Sequence, residues 1–477
     1  MELAGNIVFF VTVMGIMNYV KFASSFATRS PTHTRLGLEL GRQLGSGSGS
    51  GSGSRLSKAK RCERLALFSS SLSAKGRGIE VNMNDSVNVN VNVHMEPKAD
   101  LFRPYFPIYY NDVYEVPLPP NHRFPMDKYR KVRERVQASV MKAKASASSR
   151  SDSHTHTSTR KGYNGNVQCD FRISPLVTVE DLVTTHCPEY VGRYLVGNLT
   201  DEEIRNVGFP WSKEGVDRAF SSTGGTVAAA TSICKVKRQQ KQYLLDRVHG
   251  NDAEDEYEDS TRNVNGLEFG QLWSAHVAGG THHAFRDRGE GFCVFSDIAV
   301  AANVVLRDFP DVVKKILIID LDVHQGNGNA VLFQGIDEVT TFSMHCNANY
   351  FSEKQNSDLD IELPSGCGDE TYLSTLNHWL NRVKKGDAGD IDLIFFQAGV
   401  DILEEDRLGR LSITQNGIER RNKMVFDLAN SLGCPLCITM GGGYPRNDWE
   451  PILQAHANVY FQAYQYMADQ INEKVNT

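Results

Sequence analysis

The 477-residue sequence lacks the basic excess that a nucleic-acid binder carries: 51 lysines and arginines meet 57 aspartates and glutamates, a formal net charge of −6. Phosphate backbones are held by basic faces, so no direct nucleic-acid binding is expected. The acidic balance points instead to a basic protein tail or a small cation as partner. Long hydrophobic runs are missing too. The apolar stretch at residues 7–20 falls short of the roughly 20 residues that cross a bilayer, so no stable membrane span is expected. Cysteine is sparse, with nine scattered residues, an odd number, and one CxxC pair, Cys434 and Cys437. That pair sits in the apolar run Cys434-Pro-Leu-Cys-Ile-Thr-Met440, which reads as a buried strand with inert thiols.

Acidic residues are nearly absent from the first segment. Arg29, Arg35, Arg42, Arg55, Lys58, Lys60, Arg61, Arg64, Lys75 and Arg77 face only Glu39 and Glu63. Residues 7–20 resemble a signal h-region, without the usual positive n-region, since Glu2 is the only charge before it. A signal-like stretch followed by Ser/Arg-rich, acid-poor sequence is the pattern of organelle presequences. Residues 1–78 therefore read as signal- or transit-like, pointing to plastid or mitochondrion; without that leader, nucleus or cytoplasm is the default. A Gly-Ser tether at 45–54 and a Val/Asn alternation at 87–93 complete a leader of residues 1–100. Residues 101–477 read as one domain. Two surface insertions are expected within it: 145–166, rich in Ser, Thr and His, and 235–265, with an acidic stretch at 252–259. The tract His154-Thr-His156 reads as part of a solvated loop.

What the domain does have is alternation. Apolar runs at 275–278, 316–319, 339–342, 393–396 and 436–440 alternate with helix-like segments at 297–307, 371–383 and 418–432. This pattern predicts an α/β fold, a parallel sheet flanked by helices in three layers. Binding crevices in such sheets lie outside the carboxyl ends of the strands. The chemistry-bearing residues follow those ends.

Ile319 leads into Asp320-Leu-Asp-Val-His324, where residues two apart share one side of an extended chain. Asp320, Asp322 and His324 can thus face one point, and Asp406, beyond the strand ending at Gln397, offers a third oxygen ligand. Two carboxylates and an imidazole leave a zinc ion an open position. His282 and His283, in Gly279-Gly-Thr-His-His-Ala-Phe285, can flank water at the metal, one as general base and the other charge-stabilising. Gly441-Gly-Gly-Tyr444 presents a phenol able to polarise a carbonyl.

These segments, with Gly291-Phe-Cys293, Asp320-Leu-Asp-Val-His-Gln-Gly-Asn-Gly328, the stretch 399–406 and Pro117-Leu-Pro-Pro-Asn-His-Arg-Phe-Pro-Met126, resemble the zinc-dependent histone deacetylase family on an arginase-like fold. The likeness spans residues 101–467 and looks closest to the class IV branch. It implies zinc ligation by Asp322, His324 and Asp406. His283 becomes the principal base and acid, His282 is oriented by Asp320, and Tyr444 is the carbonyl polariser. It also implies a structural potassium ion near Asp320 and Ser343, a Gly291 carbonyl for the substrate amide, and Phe292 and Tyr350 as tunnel walls. Asn327 stands where the best-known branch has an aspartate behind the second histidine. An amide orients the ring without adding charge, so His283 is less basic than with a carboxylate partner.

The expected activity is removal of acetyl or longer acyl groups from lysines of histones or other proteins, or from an acetylated polyamine. An arginase-like enzyme with two manganese ions would need further aspartates near His324, where Gln325, Gly326 and Asn327 stand. An inactive acyl-lysine-binding scaffold would lack a ligand or Tyr444. Because the leader cannot build a core, a chain starting at Leu101 is expected to match the full chain in melting temperature and turnover. A large drop in melting temperature on truncation would show that the leader packs on the domain.

Overall fold

The apolar runs become strands because both their faces are covered. The computed structural model describes residues 99–120, 122–151, 167–248, 269–349 and 352–476. The strands are β1 (Ile108–Tyr110), β2 (Phe171–Ile173), β3 (Trp273–His276), β4 (Ile316–Asp320), β5 (Val339–Cys346), β6 (Leu359–Leu363), β7 (Leu393–Gln397) and β8 (Leu436–Thr439). They form one eight-stranded sheet in the order β2-β1-β3-β8-β7-β4-β5-β6, and every pairing is parallel. Residues 316–319 of β4 are buried one after another rather than alternately, as a central parallel strand requires. Leu317 and Ile319 enter the main core together with Ile394, Phe396, Leu436 and Ile438 of the neighbouring strands.

The helices are α1 (Lys128–Ser151), α2 (Val179–Leu182), α3 (Pro188–Leu195), α4 (Asp201–Val207), α5 (Lys213–Val248), α6 (Asp297–Asp308), α7 (Asn327–Phe333), α8 (Asp369–Arg382), α9 (Gln415–Leu432) and α10 (Glu450–Asn476). α10 packs on α1 and α9, and α9 on α8. α5 lies along α6, β1, β3 and β8. The ends are written in the sequence. Ser296 caps α6, Thr414 caps α9, and Gly433, in the left-handed region at φ 61°, ends α9.

The five expected strands are present. β1, β2 and β6 were not anticipated: two are three residues long, too short to show a period, and β6 is an edge strand bearing Asp360 and Glu362. The expected insertions narrow. Residues 145–151 continue α1 and residues 235–248 continue α5, where Lys237 and Arg238 tie the helix to Asp392 and Asp311. The leader, the tether, the Val/Asn alternation, His154-Thr-His156 and the acidic stretch lie outside the described residues. Among the described residues no helix is long and apolar enough to cross a membrane.

Candidate active site and metal centre

Four strand ends converge on one buried group of side chains. After β3, Gly279 (φ 73°) and Gly280 (φ 76°) turn the chain in a region that side chains rarely adopt. A Cβ on Gly280 would lie 2.6 Å from the Gly441 nitrogen, so this turn and the one after β8 pack backbone to backbone. Asp297, at the start of α6, fixes the turn. Its carboxylate accepts the N–H groups of Gly280 (3.0 Å) and Thr281 (2.7 Å) and the hydroxyls of Thr281 (2.6 Å) and Thr226 (2.5 Å).

The turn presents His282 and His283, ring centroids 4.0 Å apart and both buried. His282 Nδ1 lies 2.7 Å from Asp320, and His283 Nδ1 lies 2.7 Å from Asn327 Oδ1. Burial disfavours the charged form of both rings. For His282 the Asp320 and Asp322 charges outweigh it and lift the ring to about 9. For His283 burial is reinforced by His282 and His324, which hold it well below the usual histidine range. The pair is thereby divided into a cation and a neutral base. With its Nδ1–H donated to Asn327, the basic nitrogen of His283 is Nε2.

Asp322, His324 and Asp401 each offer a ligand atom, all within 4.8 Å of one another, and form the metal-capable group found among the described residues. Asp322 accepts the Gly442 N–H at 2.7 Å and the Gln397 amide at 3.1 Å. Asp401 accepts the Val323 N–H at 2.9 Å, and its other oxygen lies 3.2 Å from His324 Nδ1. Gly399 makes room, since a Cβ there would lie 2.2 Å from an Asp322 oxygen. Burial, then the Asp322 charge, pushes Asp401 up to about 6. Two such carboxylates with one imidazole fit a divalent cation, which would relieve that repulsion.

The sequence reading takes Asp406, from the same loop as Asp401, as the third ligand. Asp406 is also buried, and its carboxylate accepts the N–H groups of Leu408 (2.7 Å), Gly409 (2.8 Å) and Tyr444 (2.6 Å). These bonds fasten the Tyr444 turn to the loop after β7. Asp320 and Ser343 are register partners on β4 and β5. Ser343 Oγ lies 3.0 Å from His345 Nδ1 and accepts the Gly326 N–H at 3.3 Å.

The histidines, Asp322 and His324 line a cavity of about 590 Å³ together with Gly291, Phe292, Lys128 and Tyr444. That volume suits a small organic group. Phe292 has φ 66°, the one positive value outside glycine among the described residues. The strain is held by backbone bonds from Gly291 to Asn206 (2.9 Å) and from Phe292 to Val207 (2.8 Å). Its ring packs on Phe124, Phe209 and Tyr444. Tyr350 lies outside the described residues. Burial raises the Tyr444 phenol well above its ordinary range, so it remains a donor.

Sequence reasoning missed Asp401, Asp297, Gln397 and Lys128. Lys128 is buried, donates to the carbonyls of Gly443 (3.1 Å) and Gly441 (3.4 Å), and sits 5.3 Å from the Tyr444 ring centroid. Burial lowers it to about 8. An isolated lysine opening a helix gives no signal of this. Asp297, one residue after a capping serine, could have been found as an acid opening the apolar run at residues 298–302.

Asp401→Ala and Asp322→Ala should lose tightly bound zinc, whereas Asp406→Asn should keep about one ion per chain, as a three-ligand site does. Elemental analysis of the purified variants decides it. Metal lost with Asp406→Asn and kept with Asp401→Ala would give the third place to Asp406, as the sequence reading has it.

Comparison with known proteins agrees with this geometry. The family model described as "Histone deacetylase domain" matches residues 144–460, more than half of the chain. An uncharacterized protein of Picosynechococcus is 34% identical over 347 residues, covering 72% of this chain and 93% of that one. Histone deacetylase 2 of Arabidopsis thaliana is 30% identical over 190 residues, 39% of this chain and 48% of that protein. The acetoin utilization protein AcuC of Staphylococcus aureus is 29% identical over 201 residues, 40% of this chain and 50% of its own. The matches to these last two thus span half or less of their lengths. With the family model covering the strand ends that build the site, the chain belongs to the histone deacetylase family.

Proposed function

We propose that the protein is a zinc-dependent deacylase that hydrolyses the amide between an acyl group and a lysine-like amine. The observation that carries this reading is the histidine pair, His282 on Asp320 and His283 on Asn327, beside the Asp322–His324–Asp401 group, at the foot of a cavity walled by Phe292 and Tyr444. Those three residues would hold a divalent ion, which would supply Lewis acidity toward a carbonyl and make water acidic near neutral pH. His283 Nε2 takes the proton of the attacking water and returns it to the leaving amine. The Tyr444 hydroxyl donates to the carbonyl oxygen as negative charge develops there. His282, kept cationic by Asp320, adds positive charge beside the same centre. The Gly291 carbonyl is assigned to the substrate amide N–H.

Retention of every one of these groups speaks against an inactive scaffold. Gln325, Gly326 and Asn327, where a second ion would need further aspartates after His324, speak against a two-manganese enzyme. The potassium ion beside Asp320 and Ser343 and the class IV-like placement rest on the motif resemblance alone. The organelle destination rests on the composition of the leader.

Tyr444→Phe should keep zinc and fold but lose roughly a hundredfold or more in turnover, the typical effect of removing one oxyanion donor. Near-normal turnover in that variant would show that the phenol serves elsewhere.

Asn327→Asp places a negative charge 2.7 Å behind the His283 ring and should raise its pKa. His283 must be neutral to act, so the acidic limb of the activity–pH profile should move to higher pH. A limb that stays put or moves to lower pH in a folded, zinc-loaded variant would remove His283 from the role of base.

A further inference from the structure

The mouth of the cavity carries a charge opposite to that of the whole chain. Arg123, Arg205, Arg288 and Arg410 all line it and all are exposed. They come from four separate segments. Arg123 lies over the Phe292 ring at 5.5 Å, and Arg205 is in the last turn of α4, beside the Asn206 carbonyl that holds Gly291. Arg288 stacks on Phe285 at 3.8 Å, and Arg410 follows the Asp406 loop on another side. Outside the metal group, the acidic side chain lining the cavity is Glu290, which is buried. Among the described residues, only Arg288 of the four has a carboxylate in pairing distance, the exposed Asp287 at 3.2 Å. Exposed pairs of that kind neutralise little.

Resting on the deacylase reading, we infer that the site selects acylated amines flanked by carboxylates, and disfavours basic histone-like tails and polyamines. The negative charge belongs at the mouth and not on the acyl group. The buried lysine lining the cavity, Lys128, already donates to the carbonyls of Gly441 and Gly443. A substrate that puts its acyl end at the metal group leaves its flanking residues among the guanidiniums, whose planar forks match carboxylates. The net charge of −6 suggested a basic partner. The local field at the entrance governs encounter and reverses that expectation. The flanking carboxylates could belong to aspartates and glutamates of a protein segment or to the α-carboxylate of free Nε-acetyl-lysine.

The test is binding, which does not depend on turnover. Fluorescent acetyl-lysine peptides with acidic, neutral or basic flanks are titrated into the zinc-loaded full chain, and free Nε-acetyl-lysine is used as competitor. The acidic peptide should bind about tenfold or more tightly than the basic one at low salt, within the range expected of a charged cleft, and the gap should close as salt rises. Arg205→Glu with Arg410→Glu should erase or invert the order. Equal or tighter binding of the basic peptide, or an order unchanged by charge reversal, overturns the inference. Competition by free acetyl-lysine matching the acidic peptide supports carboxylate recognition with a small-molecule source; weak competition supports a protein segment. Turnover of the neutral peptide is read separately: its failure would sink the deacylase reading while the binding order still decides the mouth.

Discussion

Asp320, Asp322 and Asp401 are 2%, 1% and 0% exposed, and they sit around the same pair of histidine rings. Three buried carboxylates so close together cannot all be ionised without compensating positive charge. The protein supplies part of it through His282 and His324, both lifted above the ordinary histidine range once the neighbouring carboxylates outweigh burial. The Asp322–His324–Asp401 group could hold a divalent cation, whose charge would supply the remainder. The rest of the site is arranged around that requirement. Gln397 and the Gly442 N–H steady Asp322, the Val323 N–H steadies Asp401, and Asp297 holds the histidine turn in place.

The same constraint explains why His283 is served by an amide. A fourth carboxylate would deepen the repulsion and pull the base toward the protonated state. Asn327 fixes the ring with an uncharged oxygen and leaves the negative charge to the metal group. The cavity beyond is shaped by backbone as much as by side chains. The strained Phe292 and the buried Lys128 set the positions of one wall and of the Tyr444 turn.

Much of this was legible in the sequence, because strand ends carry their own punctuation. The runs ending at Ile319, Phe396 and Met440 are followed within three residues by Asp320, by Gly399 and by Gly441. The His282–His283 turn and the Asp322-x-His324 alternation need only local geometry to be read. The sequence reading assigns the third ligand to Asp406 and passes over Asp401. Both acids lie in one loop, and only the fold shows Asp401 beside Asp322 and His324 and Asp406 accepting the N–H groups of Leu408, Gly409 and Tyr444. β1 and β2 escaped for want of length. The guanidiniums at the mouth escaped because residues 123, 205, 288 and 410 meet only through the fold.

The central claim is that one divalent ion is held by two carboxylates and one imidazole. X-ray absorption at the zinc edge, on the full chain loaded with zinc, tests it most directly. The account predicts a first shell of nitrogen and oxygen donors at about 2.0–2.2 Å, with outer-shell scattering from a single imidazole. A metal–metal vector near 3.5–4 Å, the mark of a two-ion site, or scattering from two imidazoles would contradict it.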